Sequence, residues 1–169
     1  MTTIAVLVGN PQPSSRTSLI AEEIASQIAE LSGAEVLPTI ELAAYADRIF
    51  VFPEPEVDAL VAEVAAADLV VVASPTYKAA YTGLLKAFLD RYGSGGLDGV
   101  VAVPVLTIGS PAHALAVEHT LRPLLVELGA SVPTRGVAFA ASDTDDRVRI
   151  VGDWITAQWP ALGRALGAE

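Results

Sequence analysis

Apolar residues fall into two alternating patterns along this chain. Short β-branched runs such as Ile4 to Val8 and Leu69 to Ala73 are followed by longer stretches in which apolar positions recur every three or four residues. Continuous apolar runs read as strands covered on both faces, and the periodic stretches as the covering helices, so the alternation predicts βαβ units and a parallel sheet. Five strands are expected: Ile4 to Val8, a weaker Glu35 to Ile40, Leu69 to Ala73, Val100 to Ile108 and Val137 to Ala140. Pro104 lacks a backbone donor, so the middle of the fourth strand is not expected to pair on both sides.

Five helical stretches separate or follow these strands. Leu19, Ile20, Ile24, Ile28 and Leu31 form a stripe that ends at Gly33, the residue type favoured at a helix C-terminus. Val57 to Ala67 and the stretch carrying Leu84, Leu85, Phe88 and Leu89 come next, and Val117, Leu121, Leu124, Leu125 and Leu128 make a stripe ended by Gly129. A C-terminal helix is expected around Trp154 to Leu166. Between Glu41 and Glu56, Tyr45, Phe50, Phe52 and two prolines show no period, which predicts a loop lying on the surface or against a partner subunit. No repeat or internal boundary divides residues 1–169, so one domain is expected.

Composition narrows the chemistry. Without cysteine there are no disulfides, thiolate metal sites or cysteine nucleophiles. Met1 to Val8 has neither the basic region of a signal peptide nor the length of a membrane span, which predicts a cytoplasmic protein. Twenty acidic residues against ten basic ones give a net charge of −10, which repels nucleic acid and anionic membrane surfaces alike. Any anionic ligand must then be met by a few placed cations or by backbone amides.

In an open parallel sheet of order 2-1-3-4-5, ligands bind beyond the carboxyl ends of strands one and three, where the strand order reverses. The loops expected there, Gly9 to Ser18 and Ser74 to Tyr81, hold two of the few cations, Arg16 and Lys78, and the only asparagine, Asn10. The first loop offers the hydroxyls of Ser14, Ser15, Thr17 and Ser18 and the free amides of a helix start, a donor set suited to a monophosphate. It has neither the G-x-x-x-x-G-K-[ST] nor the G-x-G-x-x-G pattern. From composition alone, an ordinary helix cap remains an equal reading. Pro75-Thr76-Tyr77 is rigid and aromatic, suited to lie along a flat ring, and Thr107 to His113 ends the neighbouring strand.

Gly9-Asn10-Pro11 with Ser15-Arg16-Thr17-Ser18, followed by the run from Ser74-Pro75-Thr76-Tyr77-Lys78 to Asp90, resembles the NAD(P)H-dependent FMN reductases of the flavodoxin-like superfamily. Among these it is most similar to the reductase components of two-component alkanesulfonate monooxygenases. The resemblance implies a flavodoxin-like three-layer α/β sandwich that uses FMN, with NADPH or NADH as co-substrate. It implies that Ser15, Arg16, Thr17 and Ser18 bind the FMN phosphate, with Asn10 standing where serine is more common. Pro75, Thr76, Tyr77 and Lys78 match the segment bordering the flavin ring, and Gly109 and Ser110 match a third contact loop. Gln12 replaces an arginine common in the family.

The same resemblance places His119 at an inserted position that forms a π-type bulge at a subunit interface, an ordinary surface histidine being the alternative. It implies a homodimer or homotetramer and a flavin-dependent monooxygenase as partner. His113 and His119, six positions apart, are poorly spaced for a metal on a helix. No Ser-His-Asp order, nucleophile elbow or carboxylate pair stands out, as expected where a cofactor performs the chemistry. No catalytic side chain is therefore assigned. A reductase that retains its flavin and reduces a quinone or azo compound, and a non-enzymatic electron carrier, remain alternatives.

Overall fold

The computed structural model describes residues 1–168. Strands β1 (Thr3–Val8), β2 (Glu35–Val36), β3 (Ile40–Glu41), β4 (Leu69–Pro75), β5 (Val101–Ile108) and β6 (Val137–Ala140) form one parallel sheet of order β2-β1-β4-β5-β6, with β3 also paired to β1. The expected second strand is thus two short pieces occupying one position. Leu37-Pro38-Thr39 separates them, and Pro38 has no amide to donate to a ladder. With β2 and β3 counted as that one position, the order is 2-1-3-4-5.

Helices α1 (Arg16–Ser32), α2 (Pro55–Ala66), α3 (Gly83–Leu89), α4 (Arg122–Glu127) and α5 (Arg147–Leu166) cover the two faces. Strand alternation divides the core between them. Ile4, Val6, Val8, Val71 and Val103 pack with Ile20, Ile24, Ile28, Val151 and Ile155, whereas Ala5, Leu7, Val70 and Val72 pack with Val57, Val64, Phe88, Leu121 and Leu125. Burying each large aliphatic side chain contributes roughly 1.5–3 kcal/mol, so both layers are needed to hold the sheet.

Gly33 ends α1 in the left-handed region, φ 71°, and its amide donates to Ala29 O at 2.8 Å. Leu19 and Leu31, expected in the α1 stripe, lie at its exposed edges, and Ala21 and Ala25 fill the buried positions. The last helix begins seven residues before the expected Trp154, because Ile150 and Val151 already pack on the sheet. On β5, Ala102 N–H donates to Ser131 O, so by alternation the Pro104 nitrogen faces that same edge. There β6 begins to pair only at Val105, and the missing donor leaves no gap in the ladder.

Candidate functional site

The loop Gly9–Ser15 leaves β1 where its end is flanked by β3 on one side and β4 on the other. Gly9 N–H extends the ladder to Ala73 O at 2.8 Å, and the chain then turns under α3. A Cβ at Gly9 would lie 2.5 Å from the Leu85 Cβ, so only glycine allows this approach. The turn is tied down by Thr82, the α3 N-cap, whose hydroxyl donates to Gly9 O at 2.5 Å and accepts from Leu85 N–H at 3.1 Å. Ser74 Oγ in turn accepts from Thr82 N–H at 3.0 Å.

Asn10 is nearly buried and organises the next turn. Its Oδ1 accepts from Gln12 N–H at 2.9 Å, and its Nδ2 donates to Thr17 Oγ1 at 3.1 Å. Thr17 Oγ1 also lies 2.9 Å from Thr107 Oγ1 on β5, so the loop is braced against the sheet. Ser15 caps α1, its hydroxyl accepting from Ser18 N–H at 3.2 Å. The amides of Ser15, Arg16 and Thr17 meet no acceptor among the described residues, and the positive end of the α1 dipole reinforces them. Arg16 is exposed beside them and forms no ion pair among the described residues.

Asn10, Ser15, Arg16, Thr17 and Pro75 converge on one open cleft of ≈ 510 Å³, which Gln12, Ser14, Thr107 and Ala141 also line. Ser18 does not face this cleft. It is buried and its hydroxyl donates to the Glu41 carboxylate.

Beyond Pro75, Thr76 N–H donates to Thr107 O at 2.9 Å, and Tyr77 and Ala80 exchange backbone hydrogen bonds. Lys78 and Ala79 between them have φ 53° and 63°, the paired left-handed conformation of a hairpin turn. Non-glycine residues pay for this geometry and hold it where surrounding structure over-determines it. Tyr77 is half exposed, and Lys78 points to solvent. Gly109 and Ser110 leave β5 one strand over; Ser110 Oγ accepts from Ala112 N–H and starts a single 3₁₀ turn at Pro111–His113. The strands that lead into these loops reach the cleft at Pro75 and Thr107, which are register partners, whereas Thr76, Tyr77, Lys78, Gly109 and Ser110 are not among its lining residues.

His119 lies away from the cleft. Val117–Leu121 is a π-helix that leads into α4, and His119 is exposed on it. Glu118 anchors the π-turn: its carboxylate accepts from Gly136 N–H at 2.6 Å and pairs with Arg122, which also donates to Val132 O and Thr134 O. The Arg122 guanidinium beside it holds the Glu118 carboxyl below the usual carboxylate range.

A flavin phosphate fits the 15–17 amides and Arg16, which supply donors and positive charge without an internal acceptor. In the segment after β4, Thr76 Oγ1 is buried with no hydrogen-bond partner among the described residues. A second cavity of ≈ 220 Å³, between α1, β6 and α5, is lined mostly by apolar side chains such as Ile24, Phe139 and Trp154 and has no such donor set. No group of three or more His, Asp and Glu side chains suited to a metal occurs among the described residues.

Residues 2–145 match the sequence profile of the NADPH-dependent FMN reductases. The chain belongs to that family. It is 33% identical over 135 residues to an FMN reductase (NADPH) of Escherichia coli, covering 79% of this chain and 71% of that one. It is 32% identical over 157 residues to an NADH-dependent FMN reductase of Pseudomonas putida, covering 86% and 81%. The solved apo structure of an NADH:FMN oxidoreductase superposes with a TM-score of 0.80 at 30% identity over 93% of this chain and 88% of that one. Members of the family thus include both NADPH- and NADH-dependent reductases.

Thr82 and Glu41 were not singled out in the sequence, and Thr107 figured there only as the first residue of the loop to His113. Thr82 is an ordinary N-cap by pattern, but its hydroxyl also fixes Gly9; Thr107 sits inside an apolar strand run. Glu41 falls just past the expected second strand, at the start of the expected loop, whereas in the structure it closes β3 beside Val8.

Proposed function

We propose that this protein binds FMN with its phosphate at the amides of residues 15–17 and beside Arg16, and catalyses its reduction by NADPH or NADH. The observation that carries this is the set of three amides at the α1 N-terminus with no internal acceptor, one exposed guanidinium beside them, and family membership. Bound flavin supplies the hydride-accepting chemistry. The chain's own residues position and shield. Asn10, Thr17 and Thr107 fix the loop that carries these amides. The Tyr77 to Ala80 turn presents a rigid edge. No general acid or base is assigned, in keeping with a hydride step that needs none.

The reduced flavin is inferred to leave and supply a separate flavin-dependent monooxygenase. Support comes from the openness of the cleft and from its dependence on a few exposed donors. Measuring FMN retention by rapid ultrafiltration before and after reduction tests this: loss on reduction supports supply, and retention through turnover favours an enzyme that passes electrons to a small acceptor.

A homo-oligomer is inferred from exposed apolar residues. Phe50, Val51, Phe52 and Leu115 are all about half exposed or more. Arg91 holds the first three in place: its guanidinium lies 4.0 Å from the Phe52 ring and donates to Ile49 O and Val51 O. Among the described residues no helix is long and apolar enough to cross a membrane.

A further inference from the structure

Glu41, the last residue of β3, places a carboxylate against the phosphate-binding loop. Its two oxygens accept from Ser14 N–H at 3.0 and 3.2 Å, and Oε1 also accepts from the Ser18 hydroxyl. Ser18 Oγ lies 3.2 Å from Ser15 Oγ, so one hydroxyl separates the carboxylate from the cap of α1. The contact is a product of the fold. Glu41 pairs in register with Val8, the residue before Gly9, although 27 positions separate it from Ser14. Ser14 has φ 50°, a conformation that residues with a side chain seldom adopt, and its amide is turned toward Glu41 rather than into the cleft.

We infer that Glu41 competes with the flavin phosphate for the Ser14 amide and the Ser18 hydroxyl, and that its charge limits how tightly phosphorylated flavin is held. The inference rests on the reading of residues 10–18 as the phosphate cradle. Two donors committed to a carboxylate are withheld from the ligand, and a negative charge within a Debye length opposes a dianion while leaving an uncharged ribityl chain unaffected. Glu22, whose carboxylate accepts from Thr39 Oγ1, lines the same small cleft as Glu41, so two carboxylates stand on this side of the loop against Arg16. Glu41 is therefore a specificity-determining residue that favours release of FMN.

The test is a titration of FMN and of riboflavin, followed by quenching of flavin fluorescence, in the wild type and in Glu41→Gln, Glu41→Ala and Arg16→Ala. Glu41→Gln is expected to tighten FMN by about fivefold, as loss of one charge near a partly solvated site requires, and to leave riboflavin within about twofold. Glu41→Ala is expected to move FMN in the same direction. Unchanged or weaker FMN binding in both Glu41 variants, with Arg16→Ala still weakening it, overturns the inference and leaves the cradle standing. Unchanged FMN binding in Arg16→Ala removes the cradle, and the inference with it. Failure of both Glu41 variants to fold also overturns it, because a ligand competitor is not required for the fold.

Discussion

Thr17 Oγ1 and Thr107 Oγ1 lie 2.9 Å apart across 90 positions of sequence, joining the first turn of α1 to the carboxyl end of β5. Both side chains are buried, and Asn10 Nδ2 donates to the same Thr17 oxygen. The loop proposed to offer its amides to a phosphate is therefore fastened to the central sheet before any ligand arrives. That is the pre-organisation an anion site needs, because ordering a loop on binding costs affinity.

Replacing Thr17 by valine leaves the Asn10 amide and the Thr107 hydroxyl without their shared partner in a buried setting. Stability is expected to fall by about 1–3 kcal/mol. In urea the unfolding midpoint should drop with the slope unchanged. Thr107→Val added to Thr17→Val should cost less than the sum of the two, since they break one contact.

Gly9→Ala forces a Cβ to within 2.5 Å of the Leu85 Cβ. Moving α3 or the loop is expected to cost about 1–3 kcal/mol and to lower the Tm. Gly109→Ala provides the contrast: nothing lies within 4 Å of its added Cβ, and its stability should stay within about 0.5 kcal/mol of wild type.

The Glu118 carboxyl titrates below its ordinary range because Arg122 bonds it, with Gly136 N–H adding to the effect. A depressed folded-state value means that its contribution is complete above the range where the unfolded carboxyl titrates and is lost as pH falls through the lowered value. Glu118→Gln should therefore be less stable than wild type above about pH 5, with the gap closing in acid. Melting curves of both proteins across that range provide the check. A gap that stays constant in acid would place the stabilisation elsewhere.

Substituting Phe50 and Phe52 together by serine removes exposed apolar surface without touching the core. Light scattering should show a smaller assembly with unchanged circular dichroism. His119→Ala, on the π-helix, should alter assembly or the rate of flavin exchange. If mass and exchange both hold, the π-turn does not belong to an interface.

The parallel sheet and its alternation with helices were legible from the apolar runs, because strand burial on both faces leaves few other ways to write these residues. The break at Pro38 was not, since Glu35 to Ile40 keeps an acceptable strand composition around it. The π-helix at Val117–Leu121 also left no trace in the spacing, as Leu121, Leu125 and Leu128 read as one continuous stripe. Ser18 shows the limit most clearly. Sequence places its hydroxyl among the phosphate donors, and in the structure that hydroxyl donates to Glu41, a residue brought near by the pairing of β3 with β1.

Arg16→Ala is expected to weaken FMN binding by about 1.5–3 kcal/mol, the range for a hydrogen bond to a charged group, and to spare riboflavin. Equilibrium titration of both flavins separates loss of the phosphate contact from loss of the fold.

The central claim is tested most directly by following NADPH and NADH oxidation by the purified protein with and without added FMN. Sustained oxidation that requires FMN is the predicted result; absence of oxidation with either nucleotide when FMN is present would contradict it.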